Sequence, residues 1–304
     1  QRNRPREGSE VSFRNGTYQM KTINSLSGGK TSSYIAANYP ADYDVFSLVR
    51  VEDVNCKFPD EKLRREVEDR IQAPFIGTAE DDTIIYTMLD LEQYIGRKIT
   101  WVTGKTFEET VKSYKMKNGG YYLPNKVTRY CTTDMKTIPI AEWRYKNVDD
   151  DVTMRFGYRA NEQNRAFKMM EKVNDNGMTE VKIIIGRTKT GTQNKWKNIE
   201  YCKPEFPLID TPTFKDNIEE YWKDKPVRFA YMNNCVGCWW RSPLLLKKMH
   251  EKHPTKMQWF ADLEEEAGST FRSDVKYSDI IKWKPQIELF DEDFSECDSG
   301  YCGL

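Results

Sequence analysis

The chain has 304 residues, with 38% hydrophobic and 31% charged residues, and its 47 Lys plus Arg balance 47 Asp plus Glu to a net charge of zero. The length fits one large domain or one domain with an elaboration, and the composition fits a globular protein with a charged surface. No apolar run approaches the roughly 20 residues of a membrane helix, and the neutral total argues against a nucleic-acid-binding surface spread over the whole protein.

Residues 1–19 are polar and unpatterned, carry no apolar signal-like core, and read as an extension outside the fold. Strand and helix then alternate. "TINSLS" reads as a strand and "TSSYIAANY" as the start of a helix; "DYDVFSLVRV" is a second strand and "DEKLRREVEDRI" an amphipathic helix. "DDTIIYTMLDLEQYIG" is a helix with an acidic start, suited to its positive dipole end. "KITWVTG" is a strand, "TFEETVKSY" a helix behind a Thr cap, and "TTDMKTIPIAEWRYK" a helix that Pro139 kinks or breaks. "DVTMRFGY" is again a strand. This alternation predicts an α/β domain over 20–175, with a parallel sheet covered by helices on both faces.

Beyond about residue 180 the character changes. "VKIIIGRTKTGTQNKWKNIEYCKPEFPLID" is basic and turn-rich, "DNIEEYWKD" a helix, and "SPLLLKKMHEKHPTKMQWFADLEEEAG" a helical pair broken near Pro254. The acidic "FDEDFSECDSGYCGL" reads as a loop. Residues 176–304 are therefore expected to form a mainly helical, cysteine-bearing region.

Between the first strand and helix lies Ser27-Gly28-Gly29-Lys30-Thr31-Ser32. Glycines allow a sharp turn and close approach to an anion, and a helix N-terminus offers N–H groups and a positive dipole end. Lys30 adds a charge, and Ser27 and Ser32 add hydroxyls. A Walker A loop needs a glycine where this chain has Asn24, and the dinucleotide fingerprint fails at Lys30 and Ser33. S-G-G-x-x-S does fit, and it resembles the PP-loop of the N-type ATP pyrophosphatases, where Asp is usual at the position of Thr31. Such loops grip the pyrophosphate that leaves ATP.

Seven cysteines without a signal segment point to a reduced compartment. Cys235-Val-Gly-Cys238 has the spacing of a redox pair, half a zinc site, or two ligands of an iron–sulfur cluster. Cys131 sits near a helix start, and Cys297 and Cys302 sit in the terminal "ECDSGYCGL". Cys56 and Cys202 read as small packing residues, and His250 and His253 as solvated helix residues.

The ordered series "SLSGGKTSSY", "RYCTTDMKTIPI", "FGYRANEQNR", "FPLID", "NNCVGCWWRSPLLL" and "MQWFADLE" resembles the phosphoadenosine phosphosulfate (PAPS) reductase-like family in its compact, phage-type form. The resemblance spans about Lys21 to Glu266. It implies an adenine-nucleotide α-hydrolase-like, Rossmann-like fold, with a five-stranded parallel sheet and the nucleotide at the strands' carboxyl ends. It places phosphates on Ser27, Gly28, Gly29, Lys30, Thr31 and Ser32. Arg129 and Lys136, flanking Cys131, match basic positions of the family, and Gly157, Arg159 and Glu162 match its "G-x-R-x-x-E" segment, with Arg165 following. It suggests a [4Fe–4S] cluster on Cys131, Cys235 and Cys238, with Cys297 or Cys302 as fourth ligand.

Three readings follow. The first is an enzyme that splits ATP, with Mg2+, to AMP and pyrophosphate and so activates an acceptor for sulfur transfer from a sulfur donor. A nucleic-acid acceptor would suit the basic "GRTKTGTQNKWKN" segment, where Trp196 could stack on a base. The second is a sulfonucleotide reductase, in which Cys302 attacks PAPS or adenylyl sulfate and a thioredoxin-like reductant resolves the product; the tail "YCGL" supports it and the intact loop opposes it. The third is a non-catalytic nucleotide-binding module with a structural metal. All three imply a cytoplasmic protein, in the host's cytoplasm if phage-encoded, with no membrane partner.

Overall fold

β1 (Lys21–Leu26) lies inside a six-stranded sheet, paired in parallel with β2 (Tyr43–Leu48) on one side and β6 (Val152–Arg155) on the other. The computed structural model describes residues 20–117, 119–188 and 190–284. β5 (Ile99–Thr103) extends the sheet beyond β2, and β8 (Asn194–Glu205) extends it beyond β6, both in parallel. β7 (Thr179–Arg187) closes that edge antiparallel to β8, giving the order β5-β2-β1-β6-β8-β7. A short ribbon, β3 (Arg50–Val51) with β4 (Gly77–Thr78), stands apart.

The parallel strands run outward from β1 in both directions, so the order reverses between β1 and β6. At such a switch point the loops leaving the two strands part and open a crevice at their carboxyl ends.

Alternate strand residues feed two cores, as the two-residue repeat requires. Leu26, Phe46, Leu48, Ile99 and Trp101 pack with α1 (Lys30–Asn38), α2 (Glu61–Ile71), α3 (Thr83–Ile95) and α9 (Lys215–Trp222). Ile23, Val45, Val102 and Met154 pack on the other face with α6 (Ile138–Asn147) and α7 (Gln163–Met170). A third core joins α4 (Phe107–Lys112) to α10 (Pro243–Lys252), α11 (Pro254–Ala267) and α12 (Tyr277–Lys282). Short α8 (Pro207–Asp210) follows β8.

Local chemistry sets the helix ends. Thr106 and Glu109 form a capping box on α4, and Asp60 caps α2 by accepting from the Leu63 N–H at 3.0 Å. The expected break near Pro254 is the start of α11, with Pro254 in its first turn. The expected break at Pro139 takes another form. Short α5 (Tyr130–Thr132) runs through a π-turn over Thr133–Thr137 into α6. Pro139 has no N–H for the Met135 carbonyl, which instead accepts the Ser47 hydroxyl of β2 at 2.9 Å.

The basic stretch after residue 180, read as turn-rich, is the β7–β8 hairpin. It completes the sheet of residues 20–175, so the sheet runs past the boundary drawn from composition. Among the described residues, no helix is long and apolar enough to cross a membrane.

Candidate active site

The loop Ser27–Ser32 leaves β1 at the switch point and enters α1. Gly28 has φ +78°, and a Cβ there would stand 2.4 Å from Ile84 Cγ2, so both backbone and space demand glycine. A Cβ on Gly29 would stand 2.4 Å from Asn233 Nδ2. The loop is thus wedged between the start of α3 and the segment before the cysteine pair. Ser32 ties it together: its hydroxyl accepts the Ser27 N–H at 3.1 Å, donates to the Gly29 carbonyl at 3.1 Å, and lies 3.2 Å from the Ser27 hydroxyl. α1 begins with no side-chain cap and no acidic residue in its first turn. Its positive end is therefore not neutralised by a carboxylate of its own first turn.

Lys30 is not turned over the loop. Its ammonium pairs with Glu219 of α9 and lies 6.0 Å from the Phe229 ring centroid. The Lys30 carbonyl accepts the Trp222 indole N–H at 2.9 Å. A cavity of about 770 Å³ beside Lys30 is walled by Asp216, Glu219, Glu220, Trp222, Phe229 and Tyr231.

On the other side of the loop, Gly157 follows β6. A Cβ there would meet Thr31 Cγ2 at 3.2 Å, so the Thr31 methyl packs over the glycine. Glu162 then binds two arginines. Its Oε2 accepts the Arg159 backbone N–H at 2.9 Å and Nε–H at 3.2 Å, and its Oε1 accepts from Arg165 at 2.6 Å. Arg159 and Glu162 are buried, so this pair braces the turn after β6. The Arg165 guanidinium lies 4.2 Å from the Tyr158 ring centroid.

Arg129, Tyr158, Arg165 and Trp240 share a cavity of about 770 Å³ whose walls also carry Lys126, Lys168 and Lys172, against Glu171 and Glu180. Arg129 lies 5.8 and 5.4 Å from the Trp239 and Trp240 rings, which tethers the 129 segment to the cysteine turn. Burial pushes the Tyr158 phenol up, while Arg165 and Arg129 beside it oppose that push. The contacts make a chain of neighbours around the crevice: loop, Asn233, the Trp239–Trp240 turn, Arg129, Tyr158, Gly157, and the loop again.

Lys136 lies deeper. Its ammonium meets the fully buried Glu80 at 2.8 Å. Lys256 donates to the Glu80 carbonyl and to Asp82, both at 2.7 Å, and His253 lies 3.1 Å from Asp81. Burial alone would raise the Asp81 pKa; hydrogen bonds from His253 and Thr83 outweigh it and bring it down to about 2. The histidines thus differ from the solvated residues expected. His253 is paired and half-buried, and burial lowers the pKa of His250.

The cysteine pair turns against α11. A Cβ on Gly237 would strike the Phe260 ring at 2.5 Å, and the Gly237 carbonyl accepts the Tyr277 hydroxyl at 3.0 Å. Cys131 and Cys235 pack on the same core cluster, and Cys238 is buried. Among the described residues no group of three His, Cys, Asp or Glu side chains could hold a metal ion. Cys297 and Cys302 lie outside the described residues. Cys56 and Cys202 are fully buried, and burial pushes both thiols up to about 12, as suits packing residues.

Sequence reasoning missed Asn233, Glu219, Trp222, Glu80 and Lys256. The run Glu80-Asp81-Asp82 was visible, but its partners lie more than 50 residues away in the chain. Comparison with protein-family models and with curated proteins finds no match.

Proposed function

We propose that the chain binds an adenine nucleotide in the crevice at the β1–β6 switch point and splits ATP between its α- and β-phosphates. The observation that carries this reading is the placement of the Ser27–Ser32 loop. It opens an uncapped helix, and Thr31 packs on Gly157, whose chain neighbour Tyr158 lines a cavity with Arg129 and Arg165. The loop's N–H groups and the positive end of α1 suit the leaving pyrophosphate. The basic cavity suits an acceptor beside the α-phosphate.

In the reaction proposed, a nucleophilic oxygen of the acceptor attacks the α-phosphorus. The bond from that phosphorus to the bridging oxygen breaks, and pyrophosphate departs; magnesium carried in with ATP would offset its charge. The acceptor then carries AMP, which a sulfur donor displaces. Electrostatic stabilisation of the charge on the departing oxygens is the largest service such a site can supply. Lys30 contributes to it once its ammonium leaves Glu219.

The test is to incubate the protein with α-labelled ATP and candidate acceptors and to resolve the products. AMP and pyrophosphate, lost on Lys30→Ala, are expected. ADP and orthophosphate would overturn the reading. Sulfite released from PAPS or adenylyl sulfate would instead favour the reductase, whose nucleophile would be Cys302. Tight nucleotide binding without any product would favour the binding module.

A further inference from the structure

The hairpin runs far past the sheet that anchors it. β6 pairs only with Lys203–Glu205 of β8, whereas β7 follows β8 up to Asn194. The strands of this arm carry Lys182, Arg187, Lys195 and Lys197, in a chain whose total charge is zero. The Trp196 side chain is 48% exposed. Lys182 stands 5.6 Å from the Trp196 ring, and Lys197 stands 4.9 Å from that of Tyr145 on α6. Cations and aromatic faces are therefore interleaved on the arm and on the helix facing it.

Between arm and helix lies a second cavity of about 890 Å³, where Lys105, Lys146, Lys182 and Arg187 with Tyr145 and Trp196 stand against Asp134 and Glu142. Thr133 and Val181 belong to its wall and also to the wall of the basic cavity holding Arg129 and Arg165. The two cavities thus adjoin at these two residues, and joined there they would make one trough from the tryptophan of the arm toward Arg129 and Arg165.

We infer that this trough binds a single-stranded nucleic acid, with a base stacked on Trp196 and the backbone led by lysines and arginines toward Arg129 and Arg165. That the strand is the acceptor rests on the ATP-splitting reading; that it binds here does not. Lysine and arginine answer phosphates, and exposed rings answer bases, which is the combination single-strand grooves use. An acidic peptide would match the cations but leave the rings unmatched. A duplex keeps its bases inside its own stack and offers Trp196 nothing.

The experiment uses the full chain and fluorescein-labelled oligonucleotides, dT20 and rU20, each as single strand and as duplex, read by anisotropy at two salt concentrations. Single strands are expected to bind more tightly than duplexes. Trp196→Ala should weaken them about tenfold. Lys182→Ala with Arg187→Ala should lower the salt slope by roughly 1.4, as for two lost single-strand phosphate contacts. Circular dichroism checks that each variant is folded. Equal binding by wild type and Trp196→Ala, duplex preference, or no binding of either oligonucleotide overturns the inference. Pyrophosphate release by the wild type is measured separately. If strands bind through Trp196 and no pyrophosphate appears with them, the ATP-splitting reading fails and the trough stands.

Discussion

The ammonium of Lys30, the one cation in the glycine loop, is held by the carboxylate of Glu219 on α9. Phosphate would compete with that carboxylate for the same lysine. The pair is partly open to solvent, at 30% and 37% exposure, so its worth is about 1 kcal/mol or less. Glu219→Gln should therefore tighten ATP binding by at most about fivefold, measured by calorimetry. Weaker binding in this variant would mean that Glu219 positions Lys30 rather than competing for it.

Gly29 and Asn233 offer a second test. A side chain at Gly29 must push the Asn233 amide away, since the contact would be 2.4 Å. Gly29→Ala should lower nucleotide affinity at least tenfold, and Asn233→Gly in the same chain should restore part of it. Coupling of about 1 kcal/mol in this double-mutant cycle is expected for groups in direct contact. Additive effects would break the link between the loop and the cysteine turn.

Lys136 and Glu80 separate a brace from a phosphate ligand. Lys136→Met leaves the fully buried Glu80 without its 2.8 Å partner and should cost about 3–5 kcal/mol in urea unfolding. Lys136→Met with Glu80→Gln should recover most of that loss. If the double variant is stable and binds ATP as the wild type does, Lys136 braces the fold. If it is stable and has lost ATP affinity, Lys136 reaches phosphate.

Asp81 sets an acid limit. Its folded pKa of about 2 lies below its ordinary value, so its stability is fully present above about pH 4 and is lost as pH falls through about 2. Asp81→Asn should lower the midpoint of thermal unfolding at pH 7 and shrink the difference from wild type as pH falls from 4 to 2. A constant difference across that window would remove the His253 pair as its cause.

The alternation of strands and helices was legible because each element carries its own period and caps, as at Thr106 and Asp60. The loop was legible because Gly28 answers a local need, its positive φ, although what crowds Gly29 is the distant Asn233. The hairpin was not. Its lysines and threonines hide the strand pattern, and a bulge between Ile184 and Gly186 breaks the two-residue repeat. Glu219, Asn233 and Lys256 could not be found from spacing, because only folding brings them to the loop and to Glu80. Arg159 matched a motif, but its burial and its bonds to Glu162, which brace the turn after β6, could not be read from that motif.

Lys30 and Glu219 stand 189 residues apart, so the loop is synthesised well before its partner on α9. A growing chain therefore carries the loop long before it carries the site. The crevice closes only after the segment bearing Asn233 and the two tryptophans has docked, at the entropic cost of a very long loop. A nucleotide that touches both sides of the crevice would then favour the finished fold over every partial one, and raise its stability with the logarithm of the ratio of its concentration to its dissociation constant.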